Sequence, residues 1–166
     1  MANTQAQFGF KHIGFLSGSA PDYQLNTYLI QSSYATAIYQ GTPMIKSAAS
    51  PYIIPATGTG NLTTLVGIFY GVDYTPSGDA PTFNQFWPGA AAADGKAHLI
   101  DAPGALFLAA TLLTAMPSSA VGQNVGFSTG AGGTTIGAGF ATYVVDQNTL
   151  TTGPTAPFQV RGLYGA

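Results

Sequence analysis

The sequence predicts an all-β fold: a single-domain β-sandwich or barrel, jelly-roll-like or tulip-like, with an extended N-terminal arm and little helix. Three observations carry this expectation. Glycine (22 residues) and proline (11) are spread along the whole 166-residue chain and cut it into short segments. Between these breaks lie runs rich in Thr, Tyr, Val and Ile, whose branched or flat side chains suit a pleated surface. Few windows free of Gly and Pro are long enough to repeat an apolar face at helical spacing. A chain of this length makes one domain of ordinary size with a real core.

Taken in order, residues 1–20 hold Phe8, Phe10, Ile13 and Phe15 among Gly and polar residues, with neither strand alternation nor helical period, and read as an extended arm. Such an arm either folds back on its own domain or lies across a neighbouring subunit and orders on contact. Residues 21–166 make the β-rich domain. Strands are expected at 27–31, 35–40, 44–48, 52–55, 62–74, 97–100, 105–111, 124–128, 139–146 and 158–163, and about ten short strands suit a sandwich or barrel. The stretch 101–116 has a helical rival: Asp101 could cap it, Pro103 could sit in the first turn, and Leu106, Ala109, Ala110 and Leu113 would share one face. Gly/Thr-rich 126–139 and the segment 149–157 read as loops.

Charge is the chief anomaly. Lys and Arg number 4 and Asp 6, there is no Glu, and charged residues make up 6% of the chain, against about a quarter in a typical soluble domain. Scattered charges keep protein surfaces apart, so their scarcity implies that much of this surface is meant to be covered. The aromatic content of 12%, with 9 Tyr and 10 Phe, agrees with that, because aromatics are enriched and charges depleted at interface cores. A net charge of −2 lets many copies pack side by side with little repulsion. The four basic residues Lys11, Lys46, Lys96 and Arg161 form no cluster able to neutralise several phosphates, so nucleic acid is not an expected partner. Without cysteine there is no disulfide framework, thiolate metal site or thiol nucleophile. The start lacks the basic region and apolar run of a secretory signal. The greasiest stretch, 105–116, is too short to span a bilayer, which takes roughly 18 to 20 apolar residues.

Each motif that could carry chemistry has a plainer reading. Gly126-Phe127-Ser128-Thr129-Gly130 matches the nucleophile elbow of serine hydrolases, but the glycine-rich continuation cannot form the supporting helix. The two histidines, His12 in the arm and His98 in a strand, read as structural. Asp73 and Asp79 flank a turn at Pro76-Ser77-Gly78, which suits solvated carboxylates better than a loop calcium. No metal or cofactor is expected. Gly95-Lys96 lacks the earlier glycine and the following Ser or Thr of a phosphate loop. Phe83, Phe86 and Trp87, beside Asn84 and Gln85, could form a sugar-binding platform, with core or subunit packing as the plainer alternative.

The ordered series of short motifs resembles a family of tailed-bacteriophage head accessory proteins, known as decoration or cement proteins. It runs through Phe8-Gly9-Phe10, Leu16-Ser17-Gly18-Ser19, Asn26-Thr27-Tyr28-Leu29-Ile30 and Tyr34-Ala35-Thr36-Ala37-Ile38-Tyr39-Gln40-Gly41-Thr42-Pro43. It resumes at Val66-Gly67-Ile68-Phe69-Tyr70-Gly71-Val72, Phe86-Trp87-Pro88-Gly89, Ile100-Asp101-Ala102-Pro103, Leu106-Phe107 and Gly122-Gln123-Asn124. Nearly the whole chain is covered, and the order of the pieces is what persuades. Gly41-Thr42-Pro43 departs from the family by standing where a more acidic turn is expected, and the chain is poorer in charge throughout.

The resemblance places 105–111 in a β context. It implies a virion protein on the outer surface of the capsid, present in the host cytoplasm during assembly. Its partners would be the major capsid protein lattice and itself, as a homotrimer or else a dimer, with no catalysis. On that reading Phe8, Phe10, Ile13 and Phe15 anchor on capsid subunits, Trp87 and Phe107 pack the core or a subunit contact, and Arg161 makes a charged contact. A carbohydrate- or receptor-binding module of a phage fibre or surface appendage, with Phe86 and Trp87 as platform, is the alternative, and an esterase built on Ser128 is a third.

Overall fold

The structure, a computed structural model, describes residues 7–22, 24–48, 51–56, 64–89, 91, 93–112, 115–129, 135–136 and 140–164. In chain order the first strands are β1 (Lys11–Phe15), β2 (Asn26–Ile30), β3 (Ile38–Tyr39), β4 (Pro43–Lys46), β5 (Ile53–Pro55), β6 (Leu65–Tyr74), β7 (Thr82–Asn84) and β8 (Phe86–Trp87). The rest are β9 (Gly95–Ile100), β10 (Ala105–Leu108), β11 (Asn124–Thr129), β12 (Thr135–Ile136), β13 (Phe140–Ala141), β14 (Tyr143–Thr151) and β15 (Phe158–Gln159). The fold is all-β, as the turn-punctuated, β-branched sequence dictates. Among the described residues the one helical turn is the 3-10 segment Ser118–Ala120.

The largest sheet is antiparallel, in the order β2-β9-β6-β4-β5, with β7 also paired to β6. It curls until its outer strands approach each other, where a parallel bridge joins Leu29 to Tyr52 just before β5. Register shifts between Met44 and Ile45 and between Phe69 and Gly71 account for part of the bend, since an extra residue in one strand increases local twist. Inside the curl lies a first core of Ile30, Ile38, Met44, Ile53, Phe69, Val72, Trp87, Ala97 and Leu99. The β3–β8 pair brings Trp87 over it, and the indole N–H donates to the Tyr34 carbonyl at 2.9 Å. Gly95 has no side chain because the indole lies there: a Cβ would sit 2.6 Å from the Trp87 ring.

The second layer consists of the β1–β10 pair and the sheet β14-β11-β15. A bridge between Thr111 and Val145 joins the two, supported by Leu112 N–H to the Val145 carbonyl (3.0 Å) and Val145 N–H to the Ala110 carbonyl (2.8 Å). Facing the curled sheet, this layer buries a second core of Phe10, Ala56, Ile68, Phe127, Ala141 and Tyr143. Phe10 stacks on Phe158 at 4.7 Å and meets Phe107 and Phe127 edge-on at 6.4 and 6.1 Å. Strands β4 and β6 serve both cores. Met44, Val66 and Phe69 belong to the first, and Ile45, Leu65 and Ile68 to the second.

The structure corrects the division at residue 20. Of the two readings open for the first residues, the described part takes the folded-back one: β1 pairs with β10, and Phe10 is 4% exposed. The strand was hidden because a register shift between His12 and Gly14 breaks its alternation and Gly9 turns the chain at φ +69°. Gly9 and Gly41, both left-handed, cross closely enough for Phe10 N–H to donate to the Gly41 carbonyl at 3.1 Å, and a Cβ on either would come within 2.9 Å of backbone. The stretch 105–111 is a strand over Ala105–Leu108 and not a helix; Leu113, its proposed helical partner, lies outside the described residues. Strands β7 and β8 were not anticipated, and β12 falls within a stretch expected to be loop, most of which lies outside the described residues.

Two outcomes follow for stability. Phe10→Ala costs about 3–5 kcal/mol, as for other large aromatic truncations in packed cores, and Gly95→Ala costs about 1–3 kcal/mol by overpacking against the indole. Denaturant unfolding measures both. A chain lacking residues 1–16 fails to fold cooperatively, and a cooperative transition in that variant would show that the second core does not need this segment.

Candidate interaction surface

The seven side chains singled out in the sequence for contacts separate into distinct environments. Trp87 is fully buried and Phe10 nearly so, which removes both as contacts: each is a core residue of its own layer. Phe8, Phe15 and Phe107 are half-buried, Phe107 packing against the second core. Ile13, 50% exposed, and Arg161 remain on the surface. Exposed apolar side chains that the sequence did not single out are Leu16, Val121 and, at 93% exposure, Tyr164, while Phe83, a member of the platform candidate, is 50% exposed.

Ile13 owes its exposure to strand alternation. In β1, Lys11 and Ile13 point outward while His12 and Gly14 point in. Among the described strands β1 pairs with β10 alone, the Phe15 N–H on its other side donates to the Ser19 carbonyl at 3.2 Å, and Leu16 follows at the strand's end with its amide donating to the Gly104 carbonyl at 2.9 Å. An outer strand that exposes Lys11, Ile13 and Leu16 is suited to lying against another protein.

The few carboxylates are largely committed within the chain. Asp94 accepts from Ser32 N–H (2.8 Å) and the Tyr52 hydroxyl (2.9 Å), beside the point where the curled sheet closes. At the other end of β9, Asp101 accepts from the Asn26 amide (2.8 and 3.0 Å) and the Tyr28 hydroxyl (2.7 Å), holding β2. Asp73 accepts from His98 Nε2–H at 2.8 Å. Asp146 and Asp22 each accept a backbone N–H two residues on. The Ser32 amide, then the Tyr52 hydroxyl, hold the Asp94 carboxyl below its ordinary range.

The catalytic and platform readings meet specific obstacles. Ser128 is 1% exposed and lies within β11 opposite Val144, so it stands on no strand-to-helix elbow. Its Oγ has no hydrogen-bond partner, nor has that of Thr142. His12 Nε2–H donates to the Gly14 carbonyl at 3.0 Å and His98 is engaged with Asp73. Asp73 therefore faces His98 across the sheet and not Asp79, which sits in the Pro76–Gly78 turn with its N–H on the Pro76 carbonyl. Among the described residues no group of three or more His, Cys, Asp or Glu could hold a metal ion. No helix among them is long and apolar enough to cross a membrane. Phe86 is half-buried against Tyr39, with rings 6.1 Å apart and nearly parallel, so with Trp87 it forms no open aromatic platform. Phe83 is the exposed aromatic of that group, its ring 6.0 Å from His98.

Among the described residues two concavities bear on the surface. The larger, about 370 Å³, runs between β6 and the second layer and is lined by Leu65, Ile68, Phe107, Pro154 and Phe158, with Asp101 on its polar side. A smaller one, about 210 Å³, lies among Tyr28, Lys46, Pro51, Ile53 and Val66. No family model, curated protein or solved structure matches the chain.

Alkaline titration tests the tyrosine environments. Tyr28 is pushed up to about 12, first by its bond to Asp101, and Tyr143 to about 12, chiefly by burial. Because these phenols are harder to ionise in the folded chain, their contribution is complete below the ordinary value of 10.0 and is lost as pH rises towards about 12. Tyr34, chiefly by burial, and Tyr52, first by its bond to Asp94, are raised as well, so phenolate absorbance of the native protein should show several late-titrating groups, and Tyr28→Phe should remove one. For Asp94 the sign is opposite: its contribution is present above 3.8 and lost as pH falls further.

Proposed function

We propose that the chain is a virion structural protein that binds the outer face of a major capsid protein lattice and stabilises a phage head, acting through contact surfaces and without catalysis. The observation that carries this reading is the scarcity of charge, 6% of residues, deepened by how the carboxylates are used. Asp22, Asp73, Asp94, Asp101 and Asp146 all accept hydrogen bonds from their own chain. A surface so poor in free charge suits extensive coverage by neighbours, and many weak contacts shared over a lattice gain strength through avidity. The resemblance of the ordered motifs to decoration proteins supplies the phage head as the setting.

On this reading the capsid-facing element is the outer edge of β1 with Ile13 and Leu16, in place of a free arm. Both side chains are about half exposed, at 50% and 51%, so they can be buried by a partner without unfolding the domain. The alternative of a carbohydrate-binding module loses its proposed platform with the burial of Trp87 and rests on Phe83 alone.

Labelled protein added to emptied heads that lack it should bind saturably, and glycan arrays should stay dark. Ile13→Asp and Leu16→Asp should each weaken head binding about tenfold or more, equivalent to about 1.4 kcal/mol, while leaving thermal unfolding nearly unchanged. Absence of saturable binding to heads, with glycan binding present, would transfer the chain to the carbohydrate-binding class.

A further inference from the structure

Two features of the molecule are complementary to each other and are not joined by any hydrogen bond or ion pair among the described residues. The first is the segment 160–164. Val160 is the last residue of this segment held by the neighbouring backbone, with its N–H on the Gln123 carbonyl (2.9 Å) and its carbonyl accepting from Gly122 N–H (2.8 Å). Beyond it Arg161 and Gly162 are exposed, a Cβ on Gly162 would meet nothing within 4 Å, and Tyr164 is 93% exposed. Arg161 is the sole arginine and has no ion-pair partner among the described residues. Arginine and tyrosine are the side chains that most often anchor protein interfaces, because each combines a large flat apolar area with a polar end.

The second feature is the groove of about 370 Å³ between β6 and the second layer. Its lining mixes polar backbone with apolar side chains: Phe107 and Phe158 belong to the aromatic stack of the second core, and Pro154 and Pro157 also line it. Asp101 is the one ionisable residue in the lining, and no basic residue pairs with it among the described residues. Its oxygens take three hydrogen bonds from Asn26 and Tyr28. A carboxylate offers about four lone-pair sites, so one remains for a guanidinium.

We propose that the groove receives residues 161–164 of a second copy of this chain, with Tyr164 between Phe107 and Phe158 and the Arg161 guanidinium on the Asp101 carboxylate. Charge complementarity selects this occupant: the groove offers a carboxylate with no cationic partner among the described residues beside the Phe107 and Phe158 rings, and the segment offers a guanidinium with no anionic partner among them three residues from an exposed tyrosine. Because the donor segment and the accepting groove are different surfaces, the contact is heterologous. Repetition around a rotation axis therefore closes a ring, and repetition without closure extends a chain of subunits. Self-association is shared with the function proposed above, but this contact does not depend on what the assembled copies coat.

The chain has no cysteine, so single-cysteine variants give a clean test. Full-length Tyr164→Cys and Ala156→Cys proteins, prepared separately and mixed under mild oxidation, should form a disulfide-linked dimer several times faster than Tyr164→Cys mixed with Ser77→Cys, whose cysteine lies on a distant turn. In sedimentation, Tyr164→Ser and Arg161→Glu should each weaken self-association about tenfold, and since both side chains are exposed the variants remain folded. Cross-linking no faster than the control pair, or a parent protein that sediments as single chains at every concentration, overturns the proposal. If Tyr164→Ser and Arg161→Glu leave self-association intact but abolish binding to heads, the segment belongs to the capsid contact and the proposal also falls. Intact head binding with failed cross-linking would leave the decoration reading standing without this contact, whereas cross-linking without head binding would do the reverse.

Discussion

Strands β4 and β6 are buried on both faces, and the rest of the architecture answers to that. Antiparallel strands usually turn one face to solvent, but here alternate side chains of the same two strands enter two different cores: Phe69 and Met44 enter one, Ile68 and Ile45 the other. Each face then needs its own cover. The inner face is covered by the sheet curling on itself, with Trp87 brought in by a separate strand pair. The outer face is covered by the second layer, including Phe10 from the first strand region. The N-terminal segment is therefore a structural wall of the second core, and it cannot also be a freely moving arm.

Close packing within the large sheet explains where side chains are missing. Strands β9 and β7, paired to β6, leave no room at two of its positions. At Gly67 a Cβ would lie 2.8 Å from the Ile100 carbonyl, and at Gly71 it would enter the Phe83 ring at 2.6 Å. Gly9 and Gly41 mark the crossing where the N-terminal segment meets the turn into β4, and there the positive φ angles add a conformational demand that other residues satisfy poorly. The glycine content that reads in sequence as turn punctuation is thus partly an instrument of close packing within strands.

That double use sets how much was legible in the sequence. The all-β class and the long strand β6 were legible, because Leu65 to Val72 is a nearly continuous apolar run interrupted only by glycine, which suits a strand buried on both faces. β1 was not, because a register shift at His12 and the turn at Gly9 remove the alternation that would reveal it. β7 and β8 were missed because strands of two or three residues leave no period to detect. For the surface, residue type was an incomplete guide: aromatic character marked Phe10 and Trp87 as contact candidates, yet three-dimensional packing buries them. Exposure of Leu16, Val121 and Tyr164 depends on where the elements end, which composition does not record. Ile13 and Arg161 were found because each stands out locally, one as a large aliphatic beside glycine, the other as the sole arginine.

The scarcity of charge and the use of the aspartates form a single physical argument about function. A domain that curls a sheet into contact with itself needs clasps at the seam, and Asp94 and Asp101 supply them at the two ends of β9, drawing on the small supply of ionic groups. The surface carries few charges among hydroxyl, amide and scattered apolar groups, and is held apart from other molecules by little electrostatic repulsion. Such a surface is a liability for a protein that must stay dispersed and an advantage for one that must lie edge to edge with its own copies and with a lattice beneath. The scarcity of charge that weakens the protein's protection as a free monomer is thus the property that fits it to be covered.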